Sequence, residues 1–130
     1  MKIVLAITGA VSLSWLAGGG AMAADVAAGE KVFAKCMQCH RIGLGATNFY
    51  GPVLNGLIGR KAGTVPGYKY SAATENSGII WTQETLSSYL KQPKHDVPGT
   101  NMTFPGLQSQ TDIDNVIAYI GQFSRDGGKN

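Results

Sequence analysis

The chain has 130 residues, 15% of them charged, and a formal net charge of +3. This length is that of one small domain. The charge is too small and too mixed to indicate a nucleic-acid partner.

The first 23 residues have the features of a signal peptide. Met1-Lys2 gives a positive start, Ile3 to Leu16 is an uncharged and mostly apolar run, and Ala21-Met22-Ala23 is a small-residue cleavage site. The alternative is an uncleaved membrane anchor, because the uncharged run approaches the roughly 20 residues that span a bilayer. Three consecutive glycines favour cleavage. We therefore expect a signal peptide at 1–23, a single domain at 24–130 and a periplasmic location.

The first predicted helix runs from Asp25 to about Cys39. Asp25 can cap it, and Phe33 and Cys36 fall on one face at helical spacing. Gly29 lies on the same face, where glycine costs about 1 kcal/mol relative to alanine. This glycine indicates either the close approach of another helix or a frayed helix start.

The helix ends in Cys36-Met37-Gln38-Cys39-His40, which has the spacing of a covalent haem-attachment site. One helical turn between the thiols spans the two vinyl groups of a porphyrin, and the adjacent histidine faces the iron. A thioredoxin-like redox pair would need a βαβ surround, which the sequence lacks. A zinc site of four ligands would need both cysteines and both histidines, with His95 recruited from far along the chain. A simple disulfide would leave His40 without a role.

Residues 41–77 are rich in glycine, asparagine, proline and serine and are predicted to form loops. Between Gly51 and Arg60, isolated apolar residues alternate with turn formers, an arrangement suited to wrapping a flat apolar group. A chain of this size with 18 glycines has little core of its own. We expect a large buried cofactor to supply the missing apolar volume.

Two further helices are predicted. The first begins at the N-cap Thr82, presents Leu86, Tyr89 and Leu90 on its inner face, and ends at Pro93. The second runs from about Thr111 to Phe123 with an apolar stripe formed by Ile113, Val116, Ile117 and Ile120. Between them lies an irregular loop dense in turn residues.

A haem iron bound by one histidine has a sixth coordination position that is open or filled. Elimination leaves two residues that could fill it. Met1 and Met22 belong to the signal peptide, and Met37 is tied too close to His40 to reach the opposite face. Met102 lies in a loop of prolines and glycines and carries a thioether, a good ligand for ferrous iron. We predict Met102 as the ligand, with His95 and an ordinary core role for Met102 as the alternatives.

Taken together, these stretches resemble the class I cytochromes c, in particular the small soluble type shared by mitochondria and bacteria. The similarity covers nearly all of the predicted mature chain and follows its order. The matching stretches are Phe33 to His40, Gly51 to Gly63, Gly78 to Trp81, Tyr89-Leu90, Pro98 to Met102 and Ala118-Tyr119. The resemblance implies an all-α cytochrome c fold with crossing terminal helices, a middle helix, and long loops around one covalent haem c.

The resemblance also implies roles for individual residues. Cys36 and Cys39 would carry the thioethers, and His40 and Met102 would bind the iron. Pro52 would accept a hydrogen bond from the second nitrogen of His40.

Three further groups of side chains are implied to surround the haem. Those that hydrogen-bond its propionates are Arg60, Tyr70 and Trp81. Those that would adjust the surroundings of Met102 are Tyr89 and Thr100. The residue that would cover the edge of the haem is Phe104. The implied crossing of the terminal helices consists of Gly29, Phe33, Val116 and Tyr119, which favours packing as the role of Gly29.

The sequence departs from the family at three positions. Asparagine often stands where this chain has Thr74, so the water network near Met102 is expected to differ. Lysines often stand where this chain has His95 and Asn101, so the lysine-ringed docking face of the family does not transfer directly.

The predicted function is that of a soluble periplasmic electron carrier. One electron at a time would pass through a six-coordinate haem between membrane or periplasmic redox complexes, with no small-molecule substrate and no catalysis, and the protein would be a monomer. The alternative is a haem protein whose Met102 detaches easily and permits peroxidase activity or gas binding. His95 would then be the candidate distal residue. We also expect His95 either to compete with Met102 for iron or to remain a surface residue.

Overall fold

The structure, a computed structural model, describes residues 23–130, so nearly all of the predicted signal peptide lies outside the described residues. The described part contains five helices: α1 (Val26–Phe33), α2 (Ala72–Glu75), α3 (Gln83–Lys91), α4 (Pro93–Asp96) and α5 (Gln110–Gly121). Its only β-type pairings are two isolated bridges, Lys61 with Ile80 and Phe123 with Lys129. The predicted all-α class is confirmed. No helix within residues 23–130 has the length and apolarity needed to cross a membrane.

The helices α1 and α5 cross at Gly29. A Cβ atom at this position would lie 1.9 Å from the carbonyl oxygen of Asn115, so only glycine permits the observed approach. Phe33 is buried, and its ring centroid lies 5.3 Å from that of Tyr119. Near the crossing, the backbone N–H of Asp25 donates to Oδ1 of Asn115 at 2.8 Å. The expectation that Gly29 serves packing is confirmed.

The first helix is shorter than predicted. The α-helix ends at Phe33, and residues 34–39 form tighter turns instead of continuing to Cys39. The reason is a change of hydrogen-bond pattern: the N–H groups of Lys35 and Cys36 bond to the carbonyls three residues back, Val32 and Phe33.

The middle helix begins where its cap predicts. The side chain of Thr82 accepts from the N–H of Thr85, whose own side chain accepts from the N–H of Thr82. The inner face is formed as expected by Leu86, Tyr89 and Leu90. Pro93 follows the end of α3 but also opens the short helix α4, because proline is well suited to a first helical position.

Two other differences concern helix bounds. Residues 41–77 are not entirely loop, because Ser71 caps the single turn α2 by accepting from the N–H of Thr74 at 3.1 Å. The last helix starts at Gln110, one residue before the predicted start, and ends two residues before Phe123.

The long loop between α1 and α2 is held by asparagine side chains. Asn55 is buried and bonds to both backbone groups of Gly43, at 2.7 and 3.0 Å. Asn48 accepts from the N–H of Val53 and donates to the carbonyl of Pro66. These bonds replace the regular ladders that the loop lacks and keep it against the core.

Candidate functional site

A cleft of about 460 Å³ lies between the loops and the buried faces of α3 and α5. Its volume falls in the range of about 300–1,000 Å³ that is typical of cofactor and ligand sites. All eleven site residues predicted from the sequence line it: Cys36, Cys39, His40, Pro52, Arg60, Tyr70, Trp81, Tyr89, Thr100, Met102 and Phe104. They are spread along the chain from Cys36 to Phe104.

The two cysteines form one wall of this cleft. The N–H groups of Cys39 and His40 both bond to the carbonyl of Cys36, at 3.0 and 2.8 Å, which folds the turn tightly. The thiols are not bonded to each other. Burial raises the pKa of Cys36 to about 11, so its thiol is protonated at neutral pH. A redox-active dithiol requires a thiol whose pKa is lowered. The raised pKa of Cys36 therefore argues against a thioredoxin-like redox pair.

His40 is oriented by its neighbours. Its Nδ1 lies 2.7 Å from the carbonyl oxygen of Pro52. Because a carbonyl can only accept, Nδ1 carries the proton and Nε2 keeps a lone pair for a metal. Burial lowers the pKa of His40, although the bond to Pro52 acts in the other direction. The imidazole is therefore a neutral ligand donor. The described residues contain no group of three or more His, Cys, Asp or Glu side chains that could hold a metal ion by themselves.

Met102 lies on the same cleft, half-buried against the core. Its N–H donates to Oγ1 of Thr100 at 3.2 Å, and that oxygen also lies 3.2 Å from the hydroxyl of Tyr89. Burial raises the pKa of Tyr89, so its phenol is neutral and can donate. His95, the other candidate ligand, has a side chain that is 77% exposed and lies outside the cleft lining.

Another part of the cleft lining contains Arg60, Tyr70 and Trp81. The guanidinium of Arg60 donates to the carbonyls of Val53 and Asn55 at 3.3 and 3.0 Å. Burial lowers its pKa, yet a guanidinium remains a cation at neutral pH. No carboxylate of the described residues lies within ion-pair distance of it. A half-buried cation without a nearby carboxylate is stabilised by an anion, and the acidic groups of a porphyrin would be suitable partners.

Tyr70 and Trp81 are also fixed in the cleft. The hydroxyl oxygen of Tyr70 accepts from the N–H of Val65 at 3.1 Å, which leaves the phenolic hydrogen free to donate. The ring of Trp81 is buried with its centroid 4.9 Å from that of Tyr89. An apolar cleft with two thiols, a neutral imidazole, a thioether and an unpaired cation fits a haem in volume and in chemistry.

Sequence analysis missed two contributors. Gly51 packs against the imidazole of His40, where an added Cβ would lie 2.5 Å from Cε1. Tyr50 is also part of the cleft lining and is 75% exposed. The position of Gly51 beside Pro52 was a visible turn signal, but its contact with His40 depends on the folded loop.

Comparison with known proteins gives a consistent result. A sequence model of the family described as "Cytochrome c" matches residues 26–124. The chain is 51% identical over 109 residues to cytochrome c2 of Blastochloris viridis, covering 84% of this chain and 86% of that protein. It is 52% identical over 101 residues to cytochrome c-550 of Bradyrhizobium diazoefficiens, covering 78% and 74%.

A solved structure is also similar. Cytochrome cH from Methylobacterium extorquens superposes with a TM-score of 0.71 at 45% identity, covering 75% of this chain and 97% of that one.

Proposed function

This chain belongs to the cytochrome c family, and we propose that His40 and Met102 would both bind the iron of its haem. It carries electrons one at a time through a covalently attached haem c and is not an enzyme. The observation that carries the proposal is that the attachment turn, a neutral His40, Met102 and the unpaired Arg60 all line one cleft.

His40 and Met102 would leave the iron with no open position. Bound haem supplies an iron that alternates between the ferric and ferrous states. Pro52 holds the His40 ring by its Nδ1, and Thr100 holds the backbone of Met102. A thioether opposite a histidine favours the ferrous state and raises the reduction potential. With both residues bound to the iron, oxygen and small substrates would have no site on it.

Cys36 and Cys39 would attach the haem, and Arg60, Tyr70 and Trp81 would bind its propionates. The support is chemical: Arg60 lacks an anionic partner among the described residues, and Tyr70 has a free phenolic hydrogen. Phe104 is half-buried in the lining and would exclude water from the haem edge.

The protein moves electrons between redox proteins, and we propose that these are larger membrane or periplasmic complexes. Respiratory, photosynthetic and dehydrogenase-linked partners are all compatible with a cytochrome of this kind. We further propose export to the periplasm, with residues 1–23 removed and residues 24–130 acting as one monomeric domain. The leader pattern supports this, and the first described helix is capped by Asp25, two residues after the cleavage site.

The ligand proposal is tested by exchanging methionines in the holoprotein. Met102→Ala should lower the reduction potential and open the ferrous protein to rapid carbon monoxide binding. Met37→Ala is the matched control, because Met37 lies in the attachment turn but is 53% exposed, and it should change neither property.

Two outcomes would contradict the proposal. An unchanged potential in Met102→Ala would remove Met102 as a ligand. Rapid carbon monoxide binding by the parent protein would instead favour the gas-binding alternative.

A further inference from the structure

Two adjacent aromatic side chains, Phe49 and Tyr50, are exposed to solvent at the mouth of the cleft. Phe49 is 46% exposed and Tyr50 is 75% exposed, and their ring centroids lie 4.2 Å apart. Tyr50 is part of the cleft lining, which also includes the exposed Cys39. Exposed aromatic groups in contact with each other are typical of interaction surfaces, in which aromatic residues are enriched.

This aromatic pair is held in place from several sides. The guanidinium of Arg41 lies 4.2 Å from the ring centroid of Phe49 and donates to the carbonyl of His40 at 2.8 Å. The hydroxyl of Tyr68 donates to the carbonyl of Tyr50 at 2.8 Å. The ring of Phe49 and the backbone of Tyr50 are therefore held in place before binding, which lowers the entropy cost of ordering them.

Backbone hydrogen bonds also connect the pair to the haem-attachment turn. The N–H of Gly51 donates to the carbonyl of Cys39 at 2.7 Å, and the N–H of Phe49 donates to the carbonyl of Gly51 at 2.9 Å. A molecule that sits on Phe49 and Tyr50 is consequently close to the edge at which Cys39 would attach the haem.

The surrounding stretch carries charge of one sign. Between Lys31 and Thr74 the sequence contains no aspartate or glutamate, and its basic residues are Lys31, Lys35, Arg41, Arg60, Lys61 and Lys69. A second copy of this chain would bring like charges together, which disfavours self-association through this face. An occupant with carboxylates would be attracted.

We propose that Phe49 and Tyr50 form the apolar centre of the surface that docks the redox partner. The partner is a redox protein whose own docking surface has an aromatic or apolar centre flanked by carboxylates. The aromatic pair would exclude water at the contact, and Arg41, against Phe49, and Lys35, in the same cleft lining as Tyr50, would orient the approach. This inference depends on the proposed electron-carrier function.

The test uses holoprotein on gold electrodes that imitate the two kinds of partner surface. One monolayer mixes carboxylate-terminated with hydroxyl-terminated thiols, and the other mixes carboxylate-terminated with phenyl-terminated thiols. The measured quantity is the amount of electroactive protein retained as the salt concentration rises. The variants are Tyr50→Ser and Phe49→Ser. The control is Ile80→Ser, because Ile80 is 45% exposed and lies outside the cleft lining.

The parent protein should bind the phenyl surface about twofold to tenfold more tightly than the hydroxyl surface. Tyr50→Ser and Phe49→Ser should lose this preference, and Ile80→Ser should keep it. Equal preference in all four proteins, or equal loss in the control, would overturn the proposal. So would concentration-dependent dimers of the parent that Tyr50→Ser abolishes, because the occupant would then be a second copy. If the parent gives no reversible electrochemical response on either surface, the carrier function itself fails.

Discussion

Gly51 and His40 are in direct contact, and the contact leaves no room for a side chain. A Cβ atom on Gly51 would lie 2.5 Å from Cε1 and 2.7 Å from Nδ1 of the imidazole. The next residue, Pro52, supplies the carbonyl that binds that same Nδ1. Two consecutive residues thus fix His40, the predicted iron ligand: Gly51 leaves room for its ring, and the carbonyl of Pro52 sets its tautomer.

The first prediction is that Gly51→Ala displaces the His40 ring. The methyl group would push against the imidazole and weaken the bond from Nδ1 to Pro52. We expect faster solvent exchange of the Nδ1 proton by NMR and an altered reduction potential in the holoprotein. Gly121→Ala is the control, because a Cβ there meets only Ile58, at 3.8 Å. Unchanged proton exchange in Gly51→Ala would contradict the prediction.

The second prediction concerns the helix crossing. Gly29→Ala should lower the free energy of unfolding by about 2–3 kcal/mol, because the methyl group would overlap the backbone of Asn115. Gly121 is also a helical glycine but has space around it, so Gly121→Ala should leave stability unchanged or raise it by up to about 1 kcal/mol. Chemical denaturation of both holoproteins gives the comparison. Equal effects of the two substitutions would argue against a tight crossing.

The third prediction is that haem is required for folding. The cleft of about 460 Å³ is lined by core residues such as Leu54, Leu86 and Ile120, which would be left in contact with water or with a void. Replacing both Cys36 and Cys39 by alanine should give a protein without a cooperative thermal transition in calorimetry. A compact apoprotein that unfolds cooperatively would contradict this.

The helices that could be predicted were those whose cap or apolar pattern is formed by residues close together in the sequence. The start of α3 followed from the Thr82 cap and the position of α5 from its apolar stripe, since both are written in consecutive residues. The four-residue helices α2 and α4 were missed because a single turn has too few residues to establish a periodic pattern.

In the candidate site too, some features could be predicted from the sequence and others could not. Spacing, elimination and the family resemblance predicted that the attachment turn and Met102 lie at one site, and the structure places both in the lining of one cleft. The contact between Gly51 and His40 was not predictable, because it arises only when the loop after the attachment turn folds back. The placement of Phe49 and Tyr50 likewise depends on residues elsewhere in the chain. Arg41 contacts the ring of Phe49, and Tyr68 bonds to the backbone carbonyl of Tyr50.

The fourth prediction is a loss of stability at alkaline pH. Burial raises the pKa values of Tyr70, Tyr89 and Tyr119, so their neutral forms are favoured in the folded state. The unfolded phenols ionise first, near pH 10. Above that pH the folded state holds more protons, and stability falls as pH rises; below it the full stability is present.

The measurement is the free energy of unfolding between pH 9 and 11. Each buried phenol can contribute at most about 1.4 kcal/mol per pH unit. Tyr89→Phe should therefore give a shallower decline than the parent protein. Tyr50→Phe removes an exposed tyrosine and should leave the decline unchanged. Identical declines in all three proteins would exclude a contribution from Tyr89.

The last prediction concerns His95 and the conditions under which it could reach the iron. Its side chain is 77% exposed, and its Nδ1 lies 3.0 Å from Oδ1 of Asp96. The turn α4 keeps it there, since the N–H groups of Asp96 and Val97 bond to the carbonyls of Gln92 and Pro93. In the native state His95→Ala should therefore change neither the reduction potential nor the ferric spectrum.

Mild denaturant or raised pH should open this short turn before the crossed helices α1 and α5, because four residues make few stabilising contacts. Imidazole is a suitable ligand for iron, so the freed His95 should displace Met102 and give a ferric form with two histidines and a lowered potential. An electron paramagnetic resonance titration of the parent, His95→Ala and the neighbouring control Lys94→Ala checks this. The parent and the control should both form the two-histidine species, and His95→Ala should not. If all three proteins give the same lysine-type or hydroxide species, His95 is a bystander.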